Sequence, residues 1–295
     1  MAPDQVQHAH AELIDALTEL YTLLDILGAL PPANSYSDSE SPTINVNVNI
    51  FLPPHTAGSV NADAAGAAGF APEAVSLMSA LPFLAGDHTY KHGSGCELMP
   101  STYALSYLGE DLDEGDFEWR RELLSDGLMP PTALKLTQSA VYGVEWIYDV
   151  GTGLLTPWKP FDHGLSDTND YSHVTALPPR QVIGPLIDRY RRLDNLATPS
   201  GEVDFSSPLF AEAPLDPVTG EAQPPRDWGP VDATKWHAQY AVWRATRGIK
   251  DLYLECGWDV DAREQHGFRR DEFLRKRAVY WAEAVEPLVQ AEAEL

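Results

Sequence analysis

Cysteine is nearly missing from this sequence: Cys96 and Cys256 are the two thiols among 295 residues. Two thiols cannot staple a chain of this length, and neither stands in a C-x-x-C pair, so a disulfide framework is excluded and a reducing compartment fits. Cations are scarce too, with 20 Lys and Arg against 44 Asp and Glu and a formal net charge of −24. That sign repels phosphate backbones and anionic lipid, so neither nucleic acid nor a membrane surface is expected as a partner. No window approaches the ~18 uninterrupted apolar residues of a membrane span. The opening M-A-P-D-Q-V-Q-H-A-H-A-E has neither the basic nor the apolar stretch of a leader, so a cytoplasmic protein is expected. G-x-G-x-x-G after a strand and the Walker pattern are also absent, and no cofactor is expected.

What is present suffices for a large core, since 44% of the residues are hydrophobic and 10% aromatic. The charge is segregated. Residues 1–119 carry a single cation, Lys91, against 17 carboxylates, whereas residues 120–295 carry 19 cations against 27. Within the acidic part, Val6, Leu13, Leu17, Leu20, Leu24 and Leu27 recur at helical spacing up to Gly28 and Pro31-Pro32, which predicts an amphipathic helix. A polar link follows, then T-I-N-V-N-V-N-I-F-L, a strand whose Ile and Val alternate with Asn. Residues 53–71 are rich in Ala and Gly without periodicity and read as a loop or linker. Residues 1–71 are therefore expected to form an acidic N-terminal arm, and residues 72–295 the main body.

The body opens on a helix from Pro72 to Leu81, with Pro at its first position. Val144, Trp146, Tyr148 and Val150 alternate with Glu145, Ile147 and Asp149, and Gly151-Thr152-Gly153 leads into Leu154-Leu155-Thr156, the pattern of a β-hairpin. Ala133–Thr137 supplies a neighbouring strand. Val182, Ile183, Leu186, Ile187, Tyr190, Leu193 and Leu196 mark a helix with Pro185 in its first turn, starting near Gly184, and residues 198–231, with seven prolines, read as an irregular excursion. Two helices close the chain, the first capped by Asp232 and carrying Trp236, Tyr240 and Trp243, the second running from about Arg270 to Val289. The fold class expected is α+β, with a small antiparallel sheet in the middle of the chain packed by helices from its N- and C-terminal parts.

Several groups could carry chemistry. The stretch G-D-H-T-Y-K-H-G-S-G-C-E places His88 and His92 four residues apart, a metal-ligand spacing if helical, although Gly86 and Gly93 bracket it as a turn and Lys91 would set a cation beside the metal. Cys96 in the same stretch fits no known nucleophile signature. The acidic run E-D-L-D-E-G-D-F-E has the composition of a calcium loop, but its Gly115 falls in the wrong register. The loop containing Asp162, His163, Asp170, Tyr171 and His173 has the side chains for acid and base work, or for turns in an irregular segment. Trp146, Trp158 and Trp243 could line an aromatic pocket beside them. In R-R-D-E-F-L-R-K-R, Asp271 and Glu272 precede the cations at intrahelical pairing distance.

The segments W-I-Y-D-V-G-T-G-L-L, C-G-W-D and F-R-R-D-E-F-L are similar in style to proteins of filamentous fungi, a resemblance that implies no activity and no residue roles. Two functions stay open. One is a non-catalytic binding or adaptor protein that holds a protein partner or a small molecule. The other is a small-molecule enzyme using His163, His173, Asp162 or Tyr171 in an aromatic-lined pocket, with metal at His88 and His92 as a variant.

Overall fold

A computed structural model of the chain describes residues 3–30, 49–56, 58–85, 89–90, 95–123, 127–140, 142–160, 171–198, 203–205, 210, 212–214, 222–224 and 230–295. The fold is α+β, with helices and small antiparallel sheets. Its contacts gather into two compact units. The first comprises Met1–Asp25 with Leu30–Asp188, the second Ile26–Ala29 with Arg189–Leu295. Among the described residues no helix is long and apolar enough to cross a membrane.

In the first unit, α1 (Pro3–Ala9) and α2 (Ala11–Ile26) follow the predicted periodicity. Leu13, Leu17, Leu20 and Leu24 are at most 2% exposed, so the stripe is core. Burial of each such side chain is worth about 1.5–3 kcal/mol. Of the Asn-alternating strand, only its end is described, as β1 (Ile50–Phe51), antiparallel to β2 (Phe83–Leu84); residues 44–48 lie outside the described residues. The Ala- and Gly-rich stretch is not all loop. It holds α3 (Ala62–Ala67), because Asn61 Oδ1 accepts from the Ala64 amide at 3.2 Å and alanine has the highest helix propensity. Then α4 (Pro72–Met78) starts at its proline.

The acidic run forms a helix start rather than a cation loop. Asp113 accepts from the Asp116 amide and Asp116 accepts from the Asp113 amide, a capping box that opens α5 (Glu114–Arg121). The buried Arg121 at its end donates to the Ala68 and Met129 carbonyls, placing a cation at the C-terminus of α3, where the helix dipole is negative.

The middle of the chain yields two three-stranded antiparallel sheets instead of one. In one, β4 (Thr102–Ala104) lies between β3 (Glu97–Met99) and β6 (Thr137–Ser139). In the other, β7 (Glu145–Asp149) lies between β5 (Ala133–Lys135) and β8 (Leu154–Trp158). The predicted hairpin is β7–β8, with Ile147 opposite Thr156 and Gly153 at φ 72° in its turn. Leu136 joins the sheets: its amide donates to the Trp146 carbonyl at 2.8 Å and its carbonyl accepts from Leu105 at 3.0 Å. Both faces of β7 are consequently covered, and even Glu145 is 3% exposed. The helix α6 begins at Pro179 rather than near Gly184 and runs to Arg191, with Pro185 in its interior. Pro179 supplies the favoured first-turn proline, so Pro185 costs the helix one interior hydrogen bond without ending it.

In the second unit, β9 (Asn195–Ala197), just before the stretch that reads in sequence as an irregular excursion, pairs antiparallel with β10 (Val203–Phe205) inside it. The long α7 (Pro230–Glu255) starts two residues before the predicted cap Asp232 and ends at Cys256 and Gly257, the latter at φ 92°. Tyr253 stacks on Phe273 with ring centroids 3.8 Å apart, and Trp258 and Phe268 pack around them. The final helix is interrupted. Residues Arg270–Tyr280 form α8, Trp281–Val285 a π-helical turn, and Glu286–Ala293 α9. Pro287 explains the wide turn, because it donates no hydrogen bond and its ring crowds the carbonyl four residues earlier.

On α8 one expected intrahelical pair forms, Lys276 on Glu272 at 2.9 Å, and Arg269, just before the helix, joins the same carboxylate at 2.6 Å. These bonds hold the Glu272 carboxyl down at about 2. Arg277, grouped in sequence with the exposed cations, instead turns inward at 7% exposure and donates to the Gly28 and Ala197 carbonyls. Gly28 permits this approach: it sits at φ 67°, and a Cβ there would lie 2.5 Å from Leu274.

Candidate functional site

The predicted acid-base loop is only partly described. Asp162, His163 and Asp170 lie outside the described residues, as do His88 and His92. Tyr171 and His173 fall in one 3-10 turn, Tyr171–His173. The Tyr171 ring lies 6.3 Å from that of Trp158 and packs on a core cluster of Met129, Ala133, Ile147 and Trp158. Trp146 and Trp158, expected as pocket walls, are 1% and 2% exposed and fill the interior of the first unit. Aromatic size makes a core residue as readily as a pocket wall, and here packing takes both. Trp243 belongs to the second unit. Among the described residues no group of three or more His, Cys, Asp or Glu side chains could hold a metal ion.

Cys96 is sealed in. Burial, with a smaller contribution from the Glu97 charge, pushes its thiol up to about 12; burial also raises Cys256. The thiolate is the reactive species, so neither is a nucleophile near neutral pH. Ellman titration at pH 8 is expected to detect no thiol in the folded protein and both after unfolding in guanidinium chloride. Rapid reaction of Cys96 in the native state would contradict its placement.

Two polar constellations escape the sequence reading. The first joins Lys135 of β5 to Glu145 of β7, Nζ to Oε2 at 3.0 Å. The other carboxylate oxygen accepts from Ser139 Oγ and Gln138 Nε2, each at 3.0 Å, and Lys135 also donates to the Glu122 carbonyl. Every charge is answered internally at 3–4% exposure, which is the signature of a structural knot.

The second is His10 Nδ1, 2.8 Å from the Tyr148 hydroxyl. Burial lowers the His10 pKa from its usual 6.5. Tyr148 is raised to about 12, by burial first and then by the Glu12 and Asp149 charges. The folded state thus favours both groups neutral. Below pH 6.5 the unfolded chain takes up the imidazole proton first, so this stabilisation is complete above 6.5 and is lost as pH falls through the depressed folded value. Above pH 10 the unfolded tyrosine ionises first, and stability falls between about 10 and 12. Urea midpoints measured across pH should therefore decline less steeply below 6.5 in His10→Phe than in the parent; parallel curves would refute the linkage.

The cleft with mixed chemistry lies in the second unit. It has a volume of about 540 Å³ and is lined by Ala222, His237, Tyr240, Ala241, Arg244, Ala245 and Tyr280, within the size range of small-molecule sites. Five of the seven come from α7 at positions i, i+3, i+4, i+7 and i+8, one helical face. Small side chains at Ala241 and Ala245 form the floor. Tyr280 stands against that face because its hydroxyl donates to the Ala245 carbonyl at 2.7 Å. Gly248 makes the approach possible, since a Cβ there would lie 2.1 Å from the Tyr280 hydroxyl. Tyr280 is also the last residue before the π-helical turn, a feature frequent at functional sites.

Tyr240 is held from the other side. It stacks on Trp236 at 5.1 Å and 10°, with Trp243 at 5.5 Å and Phe210 at 6.1 Å. Trp243, proposed from sequence as a ligand wall, thus supports a lining residue. The face was legible in principle, because His237, Tyr240, Ala241, Arg244 and Ala245 share helical spacing. Its partner Tyr280, 35 residues from Ala245, was not.

Comparison with protein-family models, with curated proteins and with solved structures finds no match to this chain.

Proposed function

We propose that this chain is a non-catalytic binding protein of the cytoplasm whose second unit takes a small organic molecule in the α7 cleft. One observation carries the reading: two tyrosines, each fixed by its own packing, stand over a floor of alanines in a space of ligand size. Rings locked before binding lose little freedom when a ligand arrives, so little of the contact energy is spent on ordering. Among the described residues the lining holds no carboxylate and no thiol, and the Tyr280 hydroxyl is occupied by the Ala245 carbonyl. That set suits recognition, with no carboxylate to orient His237 as a base and no thiol nucleophile. The unpaired cysteines agree with a reducing compartment.

The test is a ligand-observed NMR screen of aromatic fragments against the full chain and against Ala241→Trp, which fills the floor. Fragments should bind the parent at millimolar concentration and lose at least tenfold in affinity to the variant. Equal binding to both proteins, or none to either, removes the cleft from the account.

A further inference from the structure

We infer that the ligand of the α7 cleft is an elongated aromatic carboxylate, bound with its anionic end on Arg244 and its far end near His237. This rests on the cleft being a ligand site and adds the chemical class.

In a chain of 44 acidic and 20 basic residues, a cation finds a carboxylate easily. Lys135, Arg180, Arg269 and Lys276 each do so, and the buried Arg121 and Arg277 donate to carbonyls. Arg244, facing the cleft, has no hydrogen-bond or ion-pair partner among the described residues. A guanidinium presents a planar fork matched to a carboxylate, and such charge-assisted pairs are the stronger class of hydrogen bond.

Length follows from helix geometry. His237 and Arg244 are seven residues apart on α7, two turns, or about 10 Å along the axis at 1.5 Å per residue. The imidazole is engaged by the Trp236 ring edge-on, at 5.2 Å and 84°, and both of its nitrogens lack a hydrogen-bond partner among the described residues. The other described lining residues are Ala222, Ala241, Ala245 and the Tyr240 and Tyr280 rings. A polar group at each end of a flat apolar body, about 10 Å overall, matches that order. An aliphatic chain would gain the floor but not the ring contacts.

The probe is para-hydroxycinnamate, compared with its neutral amide by isothermal titration calorimetry on the full chain. The acid should bind at least tenfold more tightly than the amide, and raised salt should narrow the gap, as for any exposed ion pair. Arg244→Gln should abolish the preference, and Arg244→Lys should restore part of it. Arg244 is exposed, so these variants leave the fold intact. Equal affinities for acid and amide, or a preference that survives Arg244→Gln, overturn the carboxylate assignment while fragment binding in the cleft stands. If neither probe binds but fragments from the screen do, the ligand class is wrong. If the screen too is empty, the cleft reading itself has failed.

Discussion

Replacing Lys135 by Met is expected to destabilise the first unit by about 3–5 kcal/mol, the cost of leaving one member of a buried ion pair uncompensated. Glu145 would keep its bonds from Ser139 and Gln138, but two neutral donors do not offset a carboxylate held at 3% exposure. Glu145→Leu should be about as costly, because the ammonium would retain only the Glu122 carbonyl. The double variant separates charge from packing. With both charges gone, most of the loss should be recovered, since an apolar pair of similar volume is often no worse than a buried salt bridge. Urea unfolding followed by circular dichroism checks this, and single variants within about 1 kcal/mol of the parent would show that the knot is not structural.

Gly143→Ala should have an effect of similar size for a purely steric reason. An added Cβ would sit 1.9 Å from the Ser101 carbonyl oxygen and 2.8 Å from its carbon. These are backbone atoms, and the same oxygen accepts from the Ala140 amide at 2.8 Å, so it cannot swing aside. Ser101 is itself at φ 54°, in the turn between β3 and β4, which leaves little freedom to relax. The expected cost is about 3 kcal/mol or more, at the upper end for overpacking. Gly66→Ala is the control. Nothing lies within 4 Å of its Cβ position, it occupies the interior of α3, and alanine there should stabilise by about 0.5–1 kcal/mol. Equal thermal midpoints for the two variants would contradict the packing described around Gly143.

The elements legible in sequence were those whose signal is local. The leucines of α2 repeat at helical spacing, Pro72 marks the start of α4, and Gly153 marks the turn of β7–β8. Where local composition and tertiary structure pull apart, the reading failed. Alanine and glycine without amphipathic period concealed α3, whose stability comes from the Asn61 cap. Dense proline concealed β10, which needs only three residues to pair with β9. Pro185 was read as a first-turn proline, although α6 already starts at Pro179.

The site suffered from the same limit. Trp146 and Trp158 have the chemistry of pocket walls, yet alternation along a strand cannot say that both faces will be covered. The burial of Glu145 was hidden for the same reason; Lys135, its partner, is ten residues earlier on another strand. The face of α7 carried its own pattern, but Gly248 acquires meaning only when Tyr280 is brought against it.

The central claim is that the α7 face and Tyr280 form a ligand site, and amide chemical-shift mapping of the full chain with para-hydroxycinnamate tests it most directly. The account predicts shifts concentrated at His237, Ala241, Arg244, Ala245 and Tyr280 that saturate together. Shifts centred elsewhere, or spread evenly without saturation, would contradict it.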